Sequence, residues 1–388
     1  MEEWKEYKLA DVCSRLRSGK GIKSDSVLDS GPYPVIGGNG IRGYANESNF
    51  KGECAVIGRQ GAYCGNVRFY EGEAYMTEHA VVVVGNELAD TRFLACLLSL
   101  MHLGNLSAQS AQPGISVQTL SKQIVSLPSI DYQKRVSAVI KSLDDKIEVN
   151  RRINENLEQQ AQALFKSWFV DFEPFKDQPF VESELGMIPQ GWRVGTLDEI
   201  GDVIGGSTPS KARPEYYTEN GIAWLTPKDL SLSNAKFTAK GEIDITQEGY
   251  NSCSTKLMPK GTVLFSSRAP IGYITIAKND ICTNQGFKSV VPGYAGTAFI
   301  YCYLKVATPD IENKATGSTF KEASGSLMKS LQLVIAPKDI MDSFEERMKP
   351  IFAEQECVED ESRRLAELRD TLLPRLMSGE LKVNDVDA

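Results

Sequence analysis

The chain repeats one design along its length, and this repeat restricts its possible folds more than any other feature. EWKEYKLADV at 3–12 matches GWRVGTLDEI at 191–200, and TRFLACLL at 91–98 matches TAFIYCYL at 297–304. Self-similarity at a long, regular offset is the signature of tandem structural units. The sequence therefore predicts two halves of similar design, one following the other.

Each half is predicted to be an α+β domain followed by a long helix. Short β-rich runs are broken by Gly, Pro and Asn, and one shorter helix is expected near 91–103 or 297–306. Residues 131–172 contain neither Gly nor Pro, and apolar residues recur there every three or four positions. At 1.5 Å per residue this segment would form a helix of about 60 Å. The same spacing recurs near the C-terminus.

The two apolar stripes predict helices that pack on each other as an antiparallel coiled coil with pseudo-twofold symmetry. Polar residues inside the stripes, such as Asn150, Asn154 and Gln355, are expected to fix register, and Pro350 predicts a kink or a fresh helix start. The seam residues are Val136, Ile140, Leu143, Ile147, Asn150, Leu157 and Leu164 in the first stripe and Met348, Ile351, Gln355, Val358, Leu365, Leu372 and Leu376 in the second.

These patterns divide the chain into six segments. At 388 residues it is also too long for one ordinary core. The segments are a first globular domain at 1–130, a first long helix at 131–172, a linker at 173–190, a second globular domain at 191–338, a second long helix at 339–380 and a flexible tail at 381–388.

Charge is unevenly distributed along the chain. The net charge is -8, yet 1–130 holds 12 Lys and Arg against 13 Asp and Glu, and 191–338 holds 16 against 13. The C-terminal 339–388 holds 7 against 14. The excess negative charge thus lies outside the globular stretches. The net charge of each stretch is near zero, which neither demands nor forbids a nucleic-acid partner.

Cysteines and apolar runs predict a soluble, cytoplasmic protein without a metal site or a membrane segment. Eight cysteines occur without a C-x-x-C pair, and only two histidines could join them, so reduced thiols are expected. The charged start MEEWKEYKLADV is unlike a signal peptide. The longest apolar runs, AVVVV and FLACLLSLM, fall short of the roughly 20 residues needed to cross a bilayer.

One motif has the spacing of a dinucleotide-binding site, but the residues around it do not fit such a site. Gly38, Gly40 and Gly43 have the spacing G-x-G-x-x-G, but no helical period follows them and the second half lacks the triplet. We expect these glycines to form tight turns beside a strand. No phosphate-binding P-loop, catalytic triad or amino-methyltransferase tetrapeptide is found either. The chain is predicted to bind and position other molecules, and not to catalyse a reaction itself.

Six strings, in order and at consistent spacing, resemble the specificity subunit of type I restriction–modification enzymes. They are YPVIGGNGI, ALFKSWFVDFEPF, SELGMIPQGW, AWLTPKDL, TNQGFKSV and LRDTLLPRLMSGEL. Together they span both halves and their junction. The ALFKSWFVDFEPF string alone would suggest either a helix end packed on the next domain or, less favoured, an aromatic ligand site.

The resemblance implies that each globular domain is a target-recognition domain for one half of a gapped DNA sequence. The paired helices would be the spacer, and a rod of about 60 Å suffices, since successive turns of B-DNA are roughly 34–36 Å apart. Modification subunits carrying S-adenosylmethionine, and a restriction subunit using ATP and magnesium, would dock on this chain. The chain itself would bind no cofactor and perform no catalysis.

Base readout requires donors that reach base edges, with Arg suited to guanine and Asn or Gln to adenine. The candidates are Arg42, Arg59, Gln60, Tyr63 and Gln112 in the first domain and Lys211, Arg213, Lys228, Arg268, Thr319 and Lys321 in the second. For each, a solvated loop charge is an equal alternative. Arg59 and Arg268 both follow a glycine by seven residues, in GECAVIGRQ and GTVLFSSRA, so a structural or phosphate role is also open.

Two other classes of function stay open from the residues alone. A coiled-coil adaptor that binds only proteins would explain the helices but not two loop-rich domains, and salt-dependent DNA binding would exclude it. An enzyme using the glycine-rich loop at 37–43 would lose nucleotide binding when Gly40 is replaced by a bulky residue.

Overall fold

The computed structural model describes residues 3–107, 113–232, 235–268, 270–317 and 321–383. The chain divides into two compact units. The first unit is Met1–Ile147 with Arg364–Ala388, and the second is Glu148–Arg363. Each unit therefore contains one globular domain and a segment of each of two long helices.

The first half contains eight strands and three α-helices among its described residues. The strands are β1 (Lys5–Lys8), β2 (Cys13–Ser18), β3 (Tyr33–Gly37), β4 (Gly40–Ala45), β5 (Phe50–Gly58), β6 (Val67–Met76), β7 (Ala80–Gly85) and β8 (Ile124–Leu127). The helices are α1 (Thr91–Leu100), α2 (Val117–Ser121) and α3 (Ile130–Phe169).

A six-stranded sheet of order β2-β7-β5-β6-β3-β4 forms the centre of the first domain. Strand β7 begins AVVVV, and its first four side chains are fully buried, which suits β-branched residues in a central strand. Strand β5 pairs antiparallel with β7, with Ala55 opposite Val83, whereas β3 runs parallel to β6. Strand β1 pairs with β8, which brings the two ends of the domain together.

The second half is described by the following elements. The strands are β9 (Phe180–Ser183), β10 (Gly186–Pro189), β11 (Arg193–Thr196), β12 (Gly201–Gly205), β13 (Tyr217–Thr218), β14 (Trp224–Leu225), β15 (Phe237–Thr238), β16 (Asp244–Ile245), β17 (Val263–Ser267), β18 (Ile271–Ala277), β19 (Cys282–Thr283), β20 (Lys288–Pro292) and β21 (Gln332–Ile335). The helices are α4 (Leu197–Ile200), α5 (Pro227–Leu232), α6 (Gln247–Asn251), α7 (Thr297–Lys314), α8 (Gly325–Lys329) and α9 (Lys338–Met377).

The second domain repeats the arrangement of the first. Its central sheet has the order β12-β20-β17-β18-β15. Strand β15 runs parallel to β18 as β3 does to β6, and β11 pairs with β21 as β1 does with β8. A helix, a short helix and the long helix then follow in the same order. The predicted repeat is therefore confirmed in the strand order.

The helices α1 and α7 begin at equivalent points but are capped differently. The Asp90 carboxylate accepts a hydrogen bond from the Phe93 N–H (2.9 Å), an ordinary N-cap. Helix α7 instead follows Gly296, and Glu345 of α9 accepts from the Phe299 N–H (2.8 Å). A Cβ on Gly296 would lie 2.2 Å from the Glu345 Cδ. Glycine at 296 therefore leaves room for a cap supplied by another helix.

The long helices α3 and α9 each have 40 residues. The prediction of a fresh start at Pro350 is wrong, because α9 continues through it. A proline removes one backbone hydrogen bond, and buried Met348 and Phe352 on either side hold the helix in place. Helix α3 ends at Phe169, three residues before the predicted end, because Phe172 has a left-handed backbone with φ 52°.

A glycine turn closes the end of α9. Gly379 has φ 75°, and the Leu381 N–H donates to the Arg375 carbonyl (3.0 Å). The Tyr132 hydroxyl donates to the Leu381 carbonyl (3.0 Å). Leu381 is thus held in the first unit, and the flexible tail predicted from residue 381 does not begin there. Residues 384–388 lie outside the described part of the chain.

The aromatic segment at 164–172 packs in the core of the second unit. The Phe169 ring centroid lies 4.8 Å from that of Phe299 and 4.9 Å from that of Phe344. The Trp168 ring lies 5.8 Å from Phe344. The prediction that this segment packs a helix end on the next domain is confirmed.

Candidate nucleic-acid interface

Polar loops of the first domain meet at one end of its sheet. Residues 59–66 join β5 to β6. The Arg59 N–H donates to the His79 carbonyl (3.0 Å), and the Ile115 N–H donates to the Arg59 carbonyl (3.0 Å). These two bonds bring loop 59–66, the β6–β7 turn and the segment before α2 together.

Two glycines of the triplet, Gly38 and Gly40, lie at a hairpin turn at the same end, as predicted, whereas Gly43 lies inside β4. Gly38 and Asn39 connect β3 to β4, and Gly40 has φ 108°, which favours glycine. A Cβ on Gly38 would lie 3.1 Å from the Gly58 Cα. The Arg68 Nη2 donates to the Asn39 Oδ1 (3.1 Å). The guanidinium of Arg68 on β6 and the amide of Asn39 in the hairpin turn therefore lie side by side, next to loop 59–66.

We call this group of polar side chains the first loop surface. It comprises Asn39, Arg42, Arg59, Gln60, Tyr63 and Arg68. Tyr63 is 50% exposed, and Arg42 and Gln60 are exposed. Within the described residues, the side chains of Arg42, Arg59 and Gln60 have no hydrogen-bond or ion-pair partner. Arg42, Arg59 and Gln60 thus offer side-chain donors that no other described residue uses.

The equivalent end of the second domain carries a charged network, which we call the second loop surface. It comprises Thr208, Arg268, Gln285, Lys288 and Glu322. Arg268 Nη1 lies 3.2 Å from Glu322 Oε2, and Lys288 Nζ lies 3.3 Å from Glu322 Oε1. The Thr208 hydroxyl donates to Gln285. Unlike the first loop surface, this one pairs its cations within the domain.

The backbone shows that Arg59 and Arg268 are not equivalent, contrary to the sequence match. The Ile115 N–H donates to the Arg59 carbonyl (3.0 Å), and the Ala323 N–H donates to the Ser267 carbonyl (2.9 Å). Ser267 therefore occupies the position of Arg59, and Arg268 lies one residue further along.

Gln60 is the counterpart of Arg268. Each forms an isolated antiparallel bridge to the segment that precedes a short helix. The sequence match paired Gly52 with Gly261, and this pairing is one residue out of step with the structure. Both glycines have a positive φ, of 117° and 87°, but Gly52 lies inside β5 and Gly261 precedes β17. The recurrence of arginine is therefore not a sign of a shared structural role.

The other described candidates of the second domain are not bonded to the second loop surface. Lys228 on α5 donates to Glu242 (3.0 Å). Arg213 stacks on a neighbouring tyrosine ring at 5.7 Å. Lys321 adjoins the second loop surface and donates to a carbonyl near the end of α7 (3.2 Å). Lys211 is exposed in the loop after β12.

Two predicted candidates, Gln112 and Thr319, lie outside the described residues. Sequence reasoning missed Asn39, Arg68 and Gln285. The criterion that selected Gln60, an amide in a glycine-rich loop, would also have found Asn39 and Gln285. Nothing in the sequence marks Arg68, because it lies on a strand.

Segments of the long helices contact each other inside each unit. In the first unit, Arg369 Nη1 lies 3.0 Å from Asp144 Oδ1, and residues near the start of α3 and the end of α9 share one core. In the second unit, the Gln355 Nε2 donates to the Asn154 carbonyl (3.4 Å), and Asn150 donates to Glu361 (2.8 Å). All the predicted seam residues are buried or half-buried.

In the described part of the chain, no group of three or more His, Cys, Asp or Glu is arranged to hold a metal ion. No helix in the same ranges has both the length and the apolar character needed to cross a membrane.

The sequence matches one protein family twice. The family is described as "Type I restriction modification DNA specificity domain", and the matches cover residues 1–159 and 189–354. Each match contains one of the two domains and part of the long helix that follows it.

Individual relatives carry the same description. The chain is 41% identical over 157 residues to the type I restriction enzyme MjaIX specificity subunit of Methanocaldococcus jannaschii, covering 40% of this chain and 36% of that one. It is 28% identical over 330 residues to the HindI specificity subunit of Haemophilus influenzae, covering 69% and 71%. The first match thus spans about a third of that relative's length.

A solved structure shares the fold over nearly the whole chain. The S subunit of a type I restriction–modification system from M. genitalium superposes with a TM-score of 0.65, covering 97% of this chain and 96% of that one. At 16% identity this likeness shows the fold alone. Because the two family matches cover most of the chain, the protein belongs to the type I restriction modification DNA specificity domain family and carries two copies of the domain.

Proposed function

We propose that this chain is the sequence-reading specificity subunit of a type I restriction–modification enzyme. Each domain reads one half of a bipartite, gapped target in double-stranded DNA. One observation carries the proposal: two copies of one family domain share a strand order but present different side chains on their loop surfaces. Two domains of the same fold with different loop side chains are suited to bind two half-sites of unrelated sequence.

The loop surfaces supply the base contacts. On the first loop surface, the guanidinium of Arg68 and the amides of Asn39 and Gln60 match the groups that bind guanine and adenine edges. On the second, the ion pair with Glu322 already restricts the Arg268 side chain. DNA binding therefore has less side-chain entropy to remove at this residue. The domains have near-neutral sums of charge, so partner subunits contribute phosphate contacts while this chain contributes base contacts.

The helices α3 and α9 form the spacer, paired as an antiparallel coiled coil with pseudo-twofold symmetry. The contacts inside each unit support this pairing, because the start of one helix meets the end of the other. Asn150 and Gln355 are polar residues in the seam, and their hydrogen bonds to the opposite helix would fix one register. The domain and linker limits given from the sequence remain part of this proposal.

Catalysis belongs to the partners in this proposal. Modification subunits bind S-adenosylmethionine and methylate the target, and a restriction subunit uses ATP and magnesium. The present chain acts with them in the cytoplasm, selects the sequence and binds no cofactor of its own. The names of its relatives as specificity subunits support this division of labour.

Replacing Gln60 or Arg268 by alanine is expected to relax one half-site each. Loss of a good base contact costs about 1–3 kcal/mol, or roughly 5- to 150-fold in affinity, at a single base position. Gln60→Ala should lose preference only in the half-site of the first domain, and Arg268→Ala only in the other. Binding to duplexes with each single base change measures both effects, using the chain in complex with its methyltransferase partner.

Lys51→Ala provides a matched control for this experiment. Lys51 is exposed on β5 and pairs with Glu73 away from loop 59–66, so its loss should not alter any base preference. Equal loss of affinity on every duplex for both variants would mean that these side chains contact phosphates or only stabilise the domain.

A further inference from the structure

A buried lysine joins the second domain to the long helices. Lys236 precedes the edge strand β15 and is 6% exposed. Its ammonium donates to Glu158 Oε2 on α3 (2.8 Å) and to Gln355 Oε1 on α9 (2.7 Å). The same ammonium lies 3.6 Å from the centre of the Phe352 ring. One side chain of the domain therefore contacts both helices.

The backbone around Lys236 is held just as firmly. The N–H groups of Lys236 and Phe237 donate to the two carboxylate oxygens of Glu359 on α9, at 2.9 and 3.2 Å. The Lys236 carbonyl accepts from the Ile276 N–H on β18 (2.7 Å). Every polar group of Lys236 is thus bonded, and its bonds point in fixed directions to the sheet and to both helices.

We call this group the Lys236 network. It comprises Glu158, Lys236, Tyr301, Phe352, Gln355 and Glu359. Burial opposes ionisation of Glu158, but the nearby Lys236 ammonium outweighs it and lowers the pKa of Glu158 below its usual range. Burial also lowers the pKa of Lys236, an effect that Glu158 opposes. The pair is therefore coupled electrostatically as well as by geometry.

A buried ion pair is a poor means of adding stability alone. Desolvating two charges costs several kcal/mol per ion, and apolar residues of similar volume often stabilise a protein equally well. Hydrogen bonds, in contrast, specify one arrangement, because they fail when partners slide or rotate. A purely apolar contact between a domain and a helix pair would tolerate small changes of angle, and the Lys236 network does not.

We propose that Lys236 fixes the angle of the second domain on the long helices and thereby restricts the target to one gap length. Lys236 is a positioning residue and touches no base. The proposal rests on the bipartite readout proposed above. One base pair of gap moves a half-site by about 3.4 Å and turns it by about a tenth of a helical turn. A domain held at one angle would therefore reject neighbouring gap lengths.

The test is a selection from a duplex library in which the gap length is varied, using the chain purified with its methyltransferase partner. The variant is Lys236→Met/Glu158→Gln, which removes both charges and leaves no buried carboxylate without a partner. The wild type should prefer one gap over its neighbours by at least about a hundredfold, because several base contacts would be lost together. The variant should select the same half-sites, with that preference reduced at least tenfold.

Lys349→Met/Glu346→Gln is the matched control. It makes the same changes in an exposed pair on α9, whose side chains are 74% and 76% exposed, and should keep the wild-type gap. If the Lys236 variant does not fold, Gln355→Leu is tested in its place. It removes the hydrogen bond from Lys236 to α9 and keeps the ion pair with Glu158. An unchanged gap preference in the folded variant would overturn the proposal. A wild type that selects no bipartite motif would instead overturn the proposed function.

Discussion

Replacing Lys236 by alanine is expected to lower the free energy of unfolding of the second unit by about 3–5 kcal/mol, because Glu158 is left buried without its partner. Urea unfolding followed by tryptophan fluorescence measures this directly. Trp168, Trp192 and Trp224 lie in the second unit and Trp4 in the first. A Trp4→Phe background therefore makes the signal specific to the second unit.

Two further variants separate charge from packing. Lys236→Met/Glu158→Gln should lie within about 1 kcal/mol of the wild type, because no charge remains buried and unpaired. Lys349→Ala removes an exposed lysine on α9 and should change stability by less than about 0.5 kcal/mol. If Lys236→Ala unfolds at the urea concentration of the wild type, the buried pair has no energetic role.

Acid should reduce the effect of Lys236→Ala. The folded state lowers the pKa of Glu158 below the usual 4.5, so its contribution is fully present above pH 4.5 and is lost as the pH falls through the folded-state value. In the alanine variant the buried carboxyl favours the neutral form, which acid supplies. The difference between the two proteins should therefore be smaller at pH 4 than at pH 7. A constant difference would contradict the ion pair.

Replacing Phe344 by alanine is expected to destabilise the second unit by about 3–5 kcal/mol, the usual loss for a large aromatic side chain removed from a core. Phe344 is fully buried, and its ring packs between the end of α3 and the second domain. Ring centroids lie 4.9 Å away at Phe169 and 5.8 Å away at Trp168. The same fluorescence assay measures the loss.

Val306→Ala is the control for this substitution. Val306 lies on α7 in the same unit but is 54% exposed, so its truncation should change stability by less than about 0.5 kcal/mol. If both variants lose the same stability, the loss at Phe344 does not come from its burial. It would then say nothing about the packing of α3, α9 and the second domain.

Sequence alone predicted the features that depend on local pattern. Two long helices follow from segments with regular apolar spacing, and the turn at Gly38 and Asn39 follows from glycines that were expected to form tight turns beside a strand. The fresh helix start that was one alternative at Pro350 is absent, because α9 runs through it, and this shows the limit of the reasoning. Local propensity opposes a helix there, but buried neighbours outweigh one lost hydrogen bond.

Features that depend on distant contacts were not predictable in this way. The Lys236 network joins residues from 158 to 359, and no local pattern marks a lysine as buried. The pairing of Arg68 with Asn39 likewise needs two strands to meet. The sequence match paired Arg59 with Arg268, whereas Gln60 is the structural counterpart of Arg268. Only the backbone hydrogen bonds reveal this shift of one residue.

The most direct test of two readers on one spacer is a selection from a fully randomised duplex library at fixed, near-physiological salt, with the chain bound to its methyltransferase partner. Fixed salt is required because phosphate contacts make affinity strongly salt-dependent. We predict enrichment of two unrelated half-sites separated by a constant gap, with each half-site following its domain when the domains are exchanged. A single contiguous motif, or no enrichment above non-specific binding, would contradict readout by two domains.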